Sequence, residues 1–155
     1  MAQKRALISV YDKSGLEELA AGLSERDWDI IASGGTSKAI AEAGIPVQSV
    51  EDFTGADEML DGRVKTLHPT VHAGILARRE SVEHMNELSE KGIRTLDLIA
   101  VNLYPFAATV ATEPSRADLI ENIDIGGVAL IRAAAKNHDG VWIIVDPEDY
   151  PKVLR

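Results

Sequence analysis

Residues 96–103, LDLIAVNL, hold the strongest strand signal in the chain and narrow its fold more than any other stretch. A strand with one wet face alternates apolar and polar residues, whereas a nearly unbroken apolar run suits a strand covered on both faces. Strands of that kind belong to parallel sheets, whose neighbours are joined by crossovers that are usually helices. The rest of the sequence supplies both. Residues 6–10 (ALISV), 30–32, 46–50 and 141–145 (VWIIV) read as further strands.

Helical patterns lie between them. Ser14 with Glu17 fits a capping box, and Leu16, Leu19, Ala20 and Leu23 then recur on one helical face. After residues 33–36 a short helix runs through Ile40 to a stop at Gly44. Pro69 suits the first turn of a helix through Ile75 and Leu76. Residues 80–92 read as a polar surface helix, 115–123 as a weak helix, and 128–136 as an alanine-rich one. Pro147 opens another. This order predicts an α/β fold, a mainly parallel sheet flanked by helices, as one domain over residues 1–155.

Composition removes several function classes. Without cysteine there is no disulfide framework, thiolate zinc site or cysteine nucleophile. No stretch approaches the roughly 20 apolar residues of a membrane helix, and nothing behind Met1 resembles a signal peptide. The expected setting is the cytoplasm, with no membrane partner. A formal net charge of -9 argues against nucleic acid, whose phosphates demand a basic face.

That acidity makes residues 61–79 informative, because they form the one dense cluster of cations and donors. Arg63 and Lys65 flank Val64 and, in an extended segment, point the same way. Thr66 adds a hydroxyl, and the helix start at Pro69 offers unpaired N–H groups. The stretch either holds a small anion or is a solvated basic loop. His68 and His72 stand four apart, but two ligands without an HExxH pattern do not make a metal site.

In open parallel sheets ligands sit beyond the carboxyl ends of strands, where residues 9–14, 33–36 and 102–105 fall. Ser33-Gly34-Gly35-Thr36 has small residues whose N–H groups can close on a phosphate. It lacks the dinucleotide spacing and the P-loop lysine, and a plain tight turn reads equally well. Lys13 adds a point charge there or is an exposed helix-entry lysine. On their own, Asp124 reads as a helix cap, Tyr104 as strand-end packing and Lys136 as solvated surface.

Taken in order, six segments carry more than any one of them: Ser9-Val10-x-Asp12-Lys13-x-Gly15, Ser33-Gly34-Gly35-Thr36, GRVKTLHP from Gly62, NLYPF from Asn102, IDIGG from Ile123 and RAAAKNH from Arg132. The series closely resembles the IMP cyclohydrolase family, the N-terminal domain of the bifunctional AICAR transformylase/IMP cyclohydrolase proteins, over essentially the whole chain. The resemblance implies a methylglyoxal-synthase-like three-layer α/β fold. It also implies dehydrative ring closure of formyl-AICAR ribotide to IMP, with no metal or organic cofactor.

By the same resemblance, Ser9, Lys13, Ser33, Gly35, Thr36, Arg63, Thr66, Asn102 and Gly126 bind the substrate. Lys65 would stand at the formyl oxygen with Tyr104 as a nearby donor, Asp124 at the carboxamide, and Lys136 would assist proton transfer. Asp124 and Lys136 are twelve residues apart, about 18 Å along an unbroken helix. Both reach one substrate only if Gly126-Gly127 breaks that path or intermediates carry the effect of Lys136. Implied partners are the nucleotide substrate and product, a fused or cooperating transformylase domain, and a second copy in a homodimer. The family's usual cyclohydrolase domain has further helices, so this chain is expected to lack those and the transformylase domain. On the same fold, a methylglyoxal synthase and a nucleotide sensor like the regulatory domain of carbamoyl-phosphate synthetase compete. GRVKTLHP and NLYPF favour the cyclohydrolase.

Overall fold

The apolar runs become strands whose successive residues face opposite ways, and helices cover both sides. The computed structural model describes residues 3–155. Its strands are β1 (Arg5–Ser9), β2 (Asp29–Ala32), β3 (Gln48–Ser49), β4 (Leu98–Val101) and β5 (Trp142–Ile144). They form one all-parallel sheet in the order β3-β2-β1-β4-β5. Helices α1 (Leu16–Ser24) and α2 (Gly34–Glu42) follow β1 and β2, and α3 (Val50–Thr54) follows β3. Then come α4 (Pro69–Leu76), α5 (Val82–Glu90), α6 (Phe106–Val110), α7 (Arg116–Glu121), α8 (Gly126–Lys136) and α9 (Tyr150–Val153).

Two apolar cores result. Ala6, Ile8, Leu98 and Ala100 point into one with Leu19 and Leu23 of α1, Ile40 of α2 and Tyr150 of α9. Leu7, Ile31, Ile99 and Val101 point into the other with Val50 of α3, Val71 and Ile75 of α4, and Leu130 and Ala134 of α8. This is the three-layer α/β arrangement that the resemblance implied, with the nearly unbroken run at 96–103 covered on both faces. Among the described residues no helix is long and apolar enough to cross a membrane.

Strand order places the site. The chain builds outward from β1 to β3, then crosses back to lay β4 on the other side of β1. Connections leaving β1 and β4 therefore diverge, and a crevice opens beyond their carboxyl ends, where Ser9 and Val101 are in register.

Local differences from the sequence reading have local causes. The strand expected over 46–50 shrinks to two residues because the Ser49 hydroxyl accepts from Asp52 N–H and starts α3. Ser14 forms no capping box: it donates its hydroxyl to Asp12 Oδ1 at 2.7 Å. Gly15, at φ 68°, begins α1 instead. Residues 63–66 form a turn rather than an extended segment, so Arg63 and Lys65 do not share a face by alternation. Helix α8 runs unbroken from Gly126 to Lys136, so the diglycine opens the helix and does not interrupt it.

Ile99, fully buried in a central strand, measures the sheet core. Ile99→Ala should lower unfolding free energy by about 2 to 5 kcal/mol in a denaturant titration, the usual cost of such a cavity.

Candidate active site

The crevice between β1 and β4 is a cleft of about 570 Å³. It is walled by the loops after β1, β2 and β4, by the turn at residues 61–66, and by the start of α8. Two side chains fix its frame. Asn102, just past β4, accepts with Oδ1 from the N–H groups of Tyr11 (2.6 Å) and Asp12 (2.9 Å) and donates to Asp12 O (2.9 Å). Buried Thr36 accepts from Val10 N–H (3.2 Å) and donates to Val10 O (3.0 Å). The loop after β1 is thereby tied to both β4 and α2.

One end of the cleft is built for an anion. Gly34 and Gly35 open α2, and their N–H groups precede the first intrahelical bond. A helix start carries partial positive charge and favours anions. Ser9 and Ser33 meet there, hydroxyl to hydroxyl at 2.8 Å. Both lysines converge on it: a Cβ at Gly34 would lie 2.8 Å from Lys65 Nζ, and one at Gly35 3.9 Å from Lys13 Nζ. Thr66 is buried, and its hydroxyl lies 2.8 Å from where a Cβ on Gly126 would stand. Glycine at 126 thus leaves room beside that hydroxyl.

The other end carries a held carboxylate and an aromatic pair. Asp124 Oδ1 accepts from Gly127 N–H at 2.8 Å, and Oδ2 faces Tyr104 N–H at 3.4 Å. It caps α8 and yet lines the cleft. Tyr104 and Tyr11 meet edge to face, centroids 5.5 Å apart, both rings about half exposed.

A family model described as "MGS-like domain" matches residues 15–129. The chain belongs to the MGS-like domain family. Proteins named bifunctional purine biosynthesis protein PurH from Deinococcus deserti and Rhodospirillum rubrum are each 58% identical to it, over 152 and 151 residues. These stretches cover 98% and 97% of this chain but only 30% and 29% of those proteins. The chain thus spans about a third of the length of these curated relatives. A solved structure described as the crystal structure of ForH superposes with a TM-score of 0.85 at 39% identity, covering 99% of this chain and 78% of that one.

Of the residues singled out from sequence, this MGS-like domain gathers Ser9, Lys13, Ser33, Gly35, Thr36, Arg63, Lys65, Thr66, Asn102, Tyr104, Asp124 and Gly126 at one cleft. Lys136 is not among them: it is exposed in the last turn of α8, about 15 Å from Gly126. Two others line the cleft with their polar atoms already committed. The single hydroxyl proton of Thr36 is spent on Val10 O, and the Asn102 amide oxygen and one of its two N–H donors are spent on the loop after β1. Both shape the site, which their residue type could not reveal.

The basic stretch divides in the same way. Arg63, Lys65 and Thr66 reach the cleft, whereas His68 accepts from Thr70 N–H at 3.2 Å to cap α4. Arg79 turns inward to donate to Gly74 O and Leu96 O, and burial lowers its pKa from the usual arginine value. Among the described residues no group of three or more His, Cys, Asp or Glu could hold a metal. Two carboxylates escaped the sequence reading. Glu121 pairs with Arg63 and raises its pKa, first through their hydrogen bond. Glu58 pairs with Lys65 at 3.2 Å. Neither belongs to a motif.

If Thr36 is a frame residue, Thr36→Val should cost about 1 to 3 kcal/mol by stranding a buried donor and acceptor. Thr36→Ser should keep most of the stability. Denaturant melts of the two variants check this, and equal stability of Thr36→Val and the parent would refute it.

Proposed function

We propose that this domain is an IMP cyclohydrolase, closing the ring of formyl-AICAR ribotide to give IMP and water. The observation that carries the proposal is the two-ended cleft. An anion cradle at the start of α2 faces Asp124 and Tyr104 across a space within the usual range for small-molecule sites. Its two ends suit a nucleotide with a phosphate at one and a reacting heterocycle at the other. The similarity to bifunctional purine biosynthesis proteins supports the same substrate class. In the full-length context the domain would act in the cytoplasm, joined to or beside an AICAR transformylase domain.

The 5′-phosphate would rest on the Gly34 and Gly35 N–H groups, the Ser9, Ser33 and Thr66 hydroxyls and Lys13. Arg63, held by Glu121 at the mouth, adds positive charge. Across the cleft the carboxamide nitrogen adds to the formyl carbon and gives up one proton as the formyl oxygen becomes a hydroxyl. That hydroxyl then leaves as water, and the formamide nitrogen loses its hydrogen as the ring double bond forms. An amide nitrogen is a weak nucleophile, so holding the two groups in one plane supplies much of the acceleration. Lys65, whose ammonium lies at Gly34 in the empty cleft, is assigned to the developing oxyanion once it swings toward the formyl group, and Tyr104 to a second donation there. Asp124 keeps lone pairs beyond those facing Gly127 and Tyr104, and with them it would hold or take the carboxamide proton. Lys136 has no part in the cleft of its own chain.

Purified protein mixed with formyl-AICAR ribotide should form IMP, followed by ultraviolet absorbance. Lys65→Ala should lower kcat by about 100-fold or more, the scale for losing an oxyanion donor. Asp124→Asn should do so by about 100-fold as a lost proton acceptor. IMP binding without turnover would instead make the domain a nucleotide sensor.

A further inference from the structure

Lys65 occupies an electrostatically adverse position. Its ammonium lies at Gly34, against the positive end of α2, with Lys13 close by at Gly35. The carboxylate of Glu58, 3.2 Å from Lys65 Nζ, is its only ion-pair partner among the described residues. The turn is shaped for that contact. Gly62, at φ 85°, lets the lysine stem fold back over its Cα. A Cβ at Gly62 would come within 2.5 Å of Lys65 Cε and 2.6 Å of Glu58 Oε1. A side chain at 62 would therefore make the lysine and glutamate ends shift from this contact.

We propose that Glu58 is a built-in counter-ion that parks Lys65 in the ligand-free cleft and is displaced when an anionic ligand enters, so that Glu58 sets how readily the cleft accepts such a ligand. This rests on the cleft being a nucleotide site, as argued above. The Lys65 ammonium has three N–H donors, but it reaches a ligand group beyond the span of Glu58 only by giving up that carboxylate. Such a binding event breaks a lysine–carboxylate contact in which the lysine side chain is 28% and the glutamate 46% exposed. The carboxylate thus opposes weak or partial anions, which cannot displace it, and discriminates in favour of a ligand that engages the whole cleft.

The test is calorimetric titration of the purified chain with IMP. Glu58→Gln keeps the shape and removes the charge, and it should tighten IMP binding by up to about fivefold, the equivalent of a half-exposed ion pair worth up to about 1 kcal/mol. Inorganic phosphate should gain in the same direction. In a Lys65→Ala background the Glu58→Gln gain should vanish, because the effect runs through the lysine. Glu87→Gln, which removes an equal charge from the distant surface of α5, should leave IMP affinity unchanged and so excludes a net-charge effect. Unchanged or weaker binding in Glu58→Gln, with the parent chain binding IMP normally, overturns the counter-ion role alone. A gain that persists without Lys65 overturns it too. Failure of the parent chain to bind IMP at all would overturn the nucleotide-site assignment, and this role with it.

Discussion

The cleft depends on one constraint above all: backbone groups leaving the sheet at the β1–β4 divergence must be satisfied without filling the crevice. A sheet interior pairs its own amides, but a strand end that turns away loses that partner. Asn102 answers this for Tyr11 and Asp12, and Thr36 does so for Val10. Each side chain bridges elements far apart in sequence, so the loop after β1 is set by strands and helices as well as by its own Asp12–Ser14 contact. With that loop fixed from outside, the N–H groups at the start of α2 and the Ser9–Ser33 hydroxyl pair are left facing the cleft.

Charge is distributed to match. In a chain with net charge -9 an anionic ligand meets repulsion at long range, which salt screens beyond about 10 Å. Attraction must therefore be local. Lys13, Lys65 and the α2 dipole concentrate it at one point, and Glu58 and Glu121 offset two of the cations while the cleft is empty. A site of this kind is nearly neutral at rest and becomes strongly cationic only toward a ligand able to displace a carboxylate. At the far end the Gly127 and Tyr104 N–H groups hold the Asp124 carboxylate in place.

Much of this was legible before any coordinates. The parallel sheet followed from the alternation of strands and helices and from an apolar run too continuous for a half-wet strand, and the twelve residues gathered at the cleft lay in short sequence motifs, seven of them at strand ends. What stayed hidden depends on contacts that residue type does not encode. Ser14 looks like a helix cap until Asp12, two residues earlier, takes its hydroxyl. Thr36 and Asn102 read as ligand donors, and their second use, tying down the loop after β1, shows only once their partners across the sheet are known. Arg79 continues a basic run yet serves the carbonyls of Gly74 and Leu96. The Glu58–Lys65 pair packs over the left-handed turn at Gly62, and no periodicity announces a glutamate seven residues before its lysine.

A fold of this type does not by itself fix a reaction, and the same crevice can serve catalysis or sensing. The cradle at α2 asks only for an anion, so it is shared by every such use. Discrimination lies at the start of α8, where Asp124 is held against Gly127. A Cβ at 127 would approach its carboxylate to 2.9 Å and Leu103 to 2.8 Å, so the diglycine lets helix, carboxylate and the NLYPF loop close together. A sensor needs the phosphate end and a surface that changes on binding. A ring-closing enzyme needs, in addition, a proton acceptor and donors at a fixed distance from that phosphate. The packing at Gly126 and Gly127 brings Asp124 to the cleft that Thr66 and the cradle also line, which is the arrangement the proposed ring closure calls for.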